Sequence, residues 1–170
     1  MKRSTAVVSI LFLLFIACGY VAAQGRKTII LIRHAEKETA ATADQNDPPL
    51  ASVGKERAER LRNRVGRFHP GAIYSTNFQR TRETVAPLAA RRHLTVQTYD
   101  ASKPQDLVNT IMASKTKRFV IVGHSNTIPP LVNLLTGKDL FKNLQDPEYS
   151  VIWVVRMRNG KVTKVEVLDY

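Results

Sequence analysis

Thr28-Ile29-Ile30-Leu31-Ile32-Arg33-His34 is the stretch on which the reading of this chain turns. Four of its first five residues are β-branched, and the apolar run does not alternate with polar residues. That is the pattern of a strand buried on both faces of a sheet. The run stops abruptly at Arg33-His34, so two polar side chains stand at the strand's C-terminal end. A second segment, Arg118-Phe119-Val120-Ile121-Val122-Gly123, has the same apolar, β-branched character and also ends on a histidine, His124.

Between and beyond these two runs the signals alternate. Residues 36–49 are polar and contain Pro48-Pro49, which neither a helix nor a strand passes through easily, so they form a loop long enough to wall a site. Ser52 precedes a segment in which Val53, Ala58, Leu61 and Val65 recur at near-helical spacing, and Gly66 closes it. Residues 72–75 read as a short strand, 78–92 as a helix, 95–99 as a strand and 104–114 as a helix. Residues 126–135 form a short helix stopped by Gly137, and 151–156 with 161–168 form a hairpin turned at Asn159-Gly160. Strands and helices in alternation predict an α/β fold: one domain with a mostly parallel central sheet and helices on both faces.

The chain has 170 residues, 44% hydrophobic and 24% charged, which suits one globular core. Its beginning is different in kind. Met1-Lys2-Arg3 is followed by an apolar run over residues 6–17, too short to span a bilayer comfortably, as in an export signal. Residues 1–23 are therefore expected to be a signal peptide and 24–170 the working domain. Val21-Ala22-Ala23 offers a cleavage site, Ile16-Ala17-Cys18-Gly19 resembles the lipobox that lipidates a cysteine, and an uncleaved anchor is the third reading. Each exports the domain, to the periplasm or the medium, and membrane attachment would come through Cys18 or the retained apolar run. Cys18 is the only cysteine. Cleavage after Ala23 leaves no thiol, which excludes a disulfide framework, a cysteine nucleophile and a thiolate metal site.

Charge points to anionic partners. Lysine and arginine number 26 against 14 acids, a net of +12, and residues 24–170 retain 24 against 14, a net of +10. The basic residues are spread over 55–67, 80–92 and 115–118 with no nucleic-acid motif among them, so a phosphorylated small molecule or an anionic envelope surface is expected rather than nucleic acid.

In an open α/β sheet, ligands collect outside the C-terminal ends of the strands. Arg33, His34 and His124 stand there, and Arg80 lies in the first turn of the helix that follows the strand ending at Ser75. Two arginines and two histidines suit phosphoryl transfer: guanidinium groups present forked donors to phosphate oxygens, and an imidazole nitrogen can accept the phosphoryl group. No metal or cofactor is needed, and the flanking arginines would repel a cation. His69 and His93 lack strand-end placement and are expected on the surface.

Leu31-Ile32-Arg33-His34-Ala35-Glu36 resembles the nucleophile motif of the histidine phosphatase superfamily, the phosphoglycerate mutase-like fold, with alanine where many members have glycine. Asp47-Pro48-Pro49-Leu50 with Gly54 and Ala58, Tyr74-Ser75 with Arg80-Thr81-Arg82-Glu83-Thr84, and Val122-Gly123-His124-Ser125 are similar to its further blocks in the family's order. The resemblance covers nearly all of residues 27–127. It implies that His34 becomes phosphohistidine, that Arg33 and Arg80 clamp the phosphate, and that His124 helps stabilise the transferring group. The family's larger branch takes its general acid from a residue after the third strand, where Asp100 is the nearest candidate here. Asp100 could equally cap the turn at Ala101-Ser102.

Glu36 and Glu83 are expected to support the site by pairing with arginine, and Ser125, Asn126 and Thr127 to cap the helix they begin. The reading is of a metal-independent phosphomonoesterase, resembling the short bacterial members. Its alternatives are a phosphohistidine-protein phosphatase and a non-catalytic anion-binding module on the same fold. Substrate choice would lie in the loops 36–49, 101–105 and 140–149.

Overall fold

The computed structural model, which describes residues 25–40 and 44–170, makes neighbouring strands of the two apolar runs. Along the chain it contains β1 (Lys27–Arg33), α1 (Ser52–Gly66), β2 (Ala72–Ser75), α2 (Gln79–Arg92), β3 (Val96–Thr98), α3 (Pro104–Ala113), β4 (Arg118–Gly123), α4 (Ile128–Thr136), β5 (Val151–Arg158) and β6 (Lys161–Asp169). Among the described residues the strands form one six-stranded sheet in the order β3-β2-β4-β1-β5-β6. The first four are mutually parallel, and β5 and β6 add an antiparallel edge. The expected α/β architecture is the one observed. The signal peptide, residues 1–23, and the lipid site at Cys18 lie outside the described residues.

Both faces of the sheet are covered. On one, Ile29, Leu31, Phe119, Ile121 and Trp153 pack against Leu107 and Ile111 of α3 and Ile128, Leu131 and Val132 of α4. On the other, Ile30, Ile32, Val120, Val122 and Val154 meet Leu61 and Val65 of α1 and Val85 and Leu88 of α2. This explains the unbroken apolar runs, since successive side chains of a central strand enter opposite cores.

Element ends differ from expectation by a residue or two. β3 spans three residues rather than five, because this edge strand pairs only with β2 and ends as Tyr99 turns into the pocket described below. α4 begins at Ile128 rather than Asn126, with Thr127 at its cap and prolines in its first turn.

The register fixes where the chemistry sits. Arg33 lies opposite Gly123 in the β1–β4 pairing, and the His34 N–H donates to the Gly123 carbonyl at 2.9 Å. The two histidines therefore leave the sheet side by side at one edge. Gly54 brings α1 close: a Cβ there would stand 2.2 Å from the Glu36 carbonyl oxygen, so only glycine lets the helix approach the segment following the nucleophile motif.

Candidate active site

Four side chains from two strand ends and one helix start converge on a cleft of about 920 Å³. Arg33 and His34 come from the end of β1, His124 from the end of β4 and Arg80 from the first turn of α2, and all four line it. The His34 and His124 rings meet edge to face with centroids 5.3 Å apart. The fold brings together the four side chains that the sequence singles out.

His34 is almost fully buried, and its Nδ1 lies 2.7 Å from the Ala35 carbonyl oxygen. A carbonyl only accepts, so Nδ1 carries the proton and Nε2 is left with a lone pair. Burial, with His124, Arg80 and Arg33 adding to it, lowers the His34 pKa to about 3. Burial and the same two arginines lower His124 to about 4. Both rings are therefore neutral near pH 7, and His34 is free to attack an electrophile.

Arg33 is held by a segment far away in sequence. Its Nη1 donates to the carbonyls of Gln145 at 3.0 Å and Glu148 at 3.3 Å, its Nη2 reaches Asp146 Oδ1 at 2.5 Å, and the Tyr149 ring lies 3.9 Å from its Cζ. Its buried Nε has no partner. The guanidinium is thus fixed through one edge, with the Nε donor unspent. Arg80 is oriented in a similar way, its Cζ lying 4.4 Å from the Phe78 ring and its Nη1 3.7 Å from Asp47 Oδ1. Phe78 also meets the His124 ring edge to face at 5.1 Å. Each arginine therefore has an aromatic ring and a carboxylate beside it.

Four threonines fasten the frame. Thr84 Oγ1 accepts the Ala35 N–H at 2.9 Å and donates to the Arg80 carbonyl at 2.7 Å, tying the nucleophile's loop to the arginine's helix. Thr76 Oγ1 lies 3.0 Å from His124 Nε2 and donates to Thr81 Oγ1 at 3.0 Å, and Thr81 donates onward to backbone carbonyls. Thr127 Oγ1 accepts the His124 N–H at 2.9 Å.

Glu36 fulfils the expectation of an arginine partner: Arg57 Nε and Nη2 both reach its Oε1, at 2.9 and 2.7 Å. Glu83 does not. Its Oε2 accepts the Leu50 N–H at 2.7 Å, because the 36–49 loop returns across α2 and brings a backbone donor closer than any guanidinium. Ser125 and Asn126 line the cleft without a side-chain cap on α4, which starts beyond them, and Thr127 spends its hydroxyl on His124 instead. Asp100 stands on the rim of the cleft, fully exposed. Its carboxylate accepts from the Ser102 hydroxyl at 2.7 Å and the Ser102 N–H at 2.9 Å, which hold its pKa below the usual range. His69 and His93 are exposed and away from the cleft, as expected.

Asp146, Tyr149 and Lys37 also line the cleft and carried no signal in the sequence beyond membership of a loop, and Thr76, Phe78 and Tyr99 line it from the ends of strands and a helix. Lys37, Ala101 with Ser102, and Asp146 with Tyr149 show that each of the three loops expected to govern substrate choice reaches it. Among the described residues there is no group of three or more His, Cys, Asp or Glu side chains arranged to hold a metal ion.

The cleft thus lies at the C-terminal edge of the parallel strands, with two neutral histidines beside buried Arg33 and half-buried Arg80. Residues 29–103 match the model of the histidine phosphatase superfamily (branch 1). Solved structures agree in fold. The Agrobacterium tumefaciens protein named as phosphohistidine phosphatase SixA superposes with a TM-score of 0.67 at 21% identity, over 85% of this chain and 99% of that one. A protein histidine phosphatase SixA complexed with tungstate gives 0.68 at 15% identity over 84% and 96%. The mycobacterial glucosyl-3-phosphoglycerate phosphatase gives 0.64 at 13% over 85% and 98%. No curated protein matches the chain in sequence.

Proposed function

We propose that this protein is an exported, metal-independent phosphomonoesterase that works through phosphohistidine on His34. The observation that carries the reading is the locked tautomer: Nδ1–H committed to the Ala35 carbonyl leaves Nε2 as a nucleophile between two arginines. His34 Nε2 attacks phosphorus, a P–N bond forms, and the P–O bond to the leaving group breaks. Arg33 and Arg80 stabilise the charge on the equatorial oxygens, with His124 donating a hydrogen bond. Water then attacks phosphorus, the P–N bond breaks, and neutral His34 is regenerated with inorganic phosphate. Arginines beside the histidines favour an anion over a metal cation in this cleft.

Asp100, on the rim of the cleft, is assigned the proton transfer, as a base toward the attacking water and, in its protonated fraction, as an acid toward the leaving oxygen, a step that matters most for poor leaving groups. The test is turnover of p-nitrophenyl phosphate in a metal chelator, with a panel of sugar phosphates and a phosphohistidine-bearing protein. An acid-labile phosphoenzyme in the unmutated protein, absent in His34→Ala, is the expected result. Silence across the panel would leave an anion-binding module instead.

A further inference from the structure

The three basic segments that are separate in the sequence meet in the fold, at the end of the sheet opposite the cleft. Arg67 follows α1, Arg91 and Arg92 end α2, and Lys115, Lys117 and Arg118 lead into β4, so all six stand where helices finish and parallel strands begin. Their contacts run through one loop. Arg92 Nη1 approaches His69 Nδ1 at 3.4 Å, and Arg118 Nε donates to the His69 carbonyl at 2.9 Å. A Cβ on Gly71 would stand 3.2 Å from Thr116, between the two lysines, and Gly66 abuts the Arg91 guanidinium. Five of the six are exposed and Arg92 is partly so. None forms an ion pair with an acidic side chain among the described residues.

Basic residues at helix C-termini favour the helix dipole, which accounts for Arg67, Arg91 and Arg92 only. Lys115, Lys117 and Arg118 belong to no helix, and six cations kept together without a counter-charge repel one another unless an anionic surface meets them. Acidic residues such as Glu36, Asp47, Glu56, Glu83 and Asp100 lie at or near the cleft end instead. The entry of β1 indicates which anionic surface. Lys27 donates to the Ser114 and Thr116 carbonyls at 2.6 and 3.1 Å, so β1 begins directly beside the patch, and the apolar run of residues 6–17 precedes it in the sequence. No aromatic platform for bases lies among the six cations.

We infer that this pole docks on an anionic phospholipid bilayer. The cleft then opens away from the membrane, separated from it by β1 and β4, roughly 20 Å at about 3.3 Å per residue. Lysine and arginine held at an anionic surface each contribute roughly fivefold to partitioning, so neutralising three of them is worth about 100-fold.

The test uses the full chain and vesicles of phosphatidylglycerol and phosphatidylcholine against vesicles of phosphatidylcholine alone. Any affinity of the apolar run for lipid is common to both vesicles, so the difference between the two reports the patch. Arg91→Gln/Arg92→Gln/Lys117→Gln should lose about 100-fold of the extra binding to anionic vesicles, as should 0.5 M salt. Lys55→Gln/Arg60→Gln/Lys164→Gln, an equal charge change away from the patch and outside the cleft loops, should lose little, and both variants should keep wild-type turnover of p-nitrophenyl phosphate as proof of folding. Equal losses in the two variants, or no preference for anionic vesicles, would overturn the inference. So would patch-dependent binding of a short DNA duplex without vesicle binding.

Discussion

Replacing Thr84 with valine removes a single hydroxyl, and the structure sets what that hydroxyl is worth. Thr84 is fully buried, and its Oγ1 is the acceptor for the Ala35 N–H, itself in a fully buried residue. Valine has the same shape but no acceptor, so a buried N–H loses its partner, at a cost of roughly 1–3 kcal/mol. For a domain of this size that corresponds to a fall in melting temperature of about 4–8 °C for a 2 kcal/mol loss. Activity should fall further than stability. The same hydroxyl donates to the Arg80 carbonyl, so His34 and a phosphate ligand lose their common tie, and an ångström of drift between them costs up to about 100-fold in rate. Thr84→Ser keeps both hydrogen bonds and gives up one methyl group, about 0.8 kcal/mol of apolar burial. Thermal unfolding and steady-state kinetics on p-nitrophenyl phosphate should therefore rank wild type and serine together in kcat, with valine at least tenfold lower. A serine variant that loses more kcat than the valine variant would refute the positioning role and reduce Thr84 to a packing residue.

Further outcomes follow from the site. His34 and His124 have folded pKa values lowered to about 3 and about 4, against an ordinary 6.5, so their contribution to stability is present above pH 6.5 and is lost as pH falls toward 4. Unfolding near pH 5.5 should take up close to two more protons than it does in His34→Gln/His124→Gln, read from the slope of stability against pH. Asp146→Asn removes a negative charge from the edge of Arg33 while its backbone acceptors remain, and since Asp146 is exposed the change in phosphate or vanadate binding should be about fivefold tighter, seen by competitive inhibition. Asp100→Asn should barely change turnover of p-nitrophenyl phosphate but slow an alkyl phosphate by about tenfold or more, because only the alkoxide leaving group needs the proton. Gly54→Ala forces a methyl group onto the Glu36 carbonyl and should lower both the melting temperature and kcat, an overpacking cost of about 1–3 kcal/mol.

Those residues legible in the sequence share one property: their position follows from local pattern. Ile29 to Ile32 and Phe119 to Val122 announce doubly buried strands because both their faces are apolar, and the ends of such strands locate Arg33, His34 and His124 without any knowledge of packing. Arg80 is placed almost as directly, in the first turn of a helix that follows a strand. Asp146 and Tyr149 could not be read in this way. They reach Arg33 across 113 and 116 residues of chain, through a loop whose path depends on how α4 and β5 pack, and nothing local marks them. Glu83 misled for a related reason, since a backbone donor delivered by a distant loop outcompeted the arginines near it in sequence. The basic patch was equally hidden: 67, 91–92 and 115–118 look dispersed along the chain and become neighbours only when α1, α2 and α3 all end at one pole.

The site's electrostatics explain why one cluster can both bind phosphate and leave a histidine nucleophilic. Arg33 and Arg80 add to burial in driving the proton off His34 and His124, so the empty cleft holds two guanidinium charges and two neutral rings. On the proposed function, a phosphate dianion entering between the arginines offsets their addition to the burial that keeps His124 unprotonated, so its pKa would rise as the ligand arrives. His34 does not follow to the same degree, because its Nδ1–H is spent on the Ala35 carbonyl and its Nε2 faces phosphorus rather than a proton source. The pair is thereby divided into a ring that gains donor capacity on binding and a ring that keeps its lone pair. That division needs the two histidines close together but differently bonded, as the Ala35 carbonyl on one ring and the Thr76 hydroxyl on the other provide.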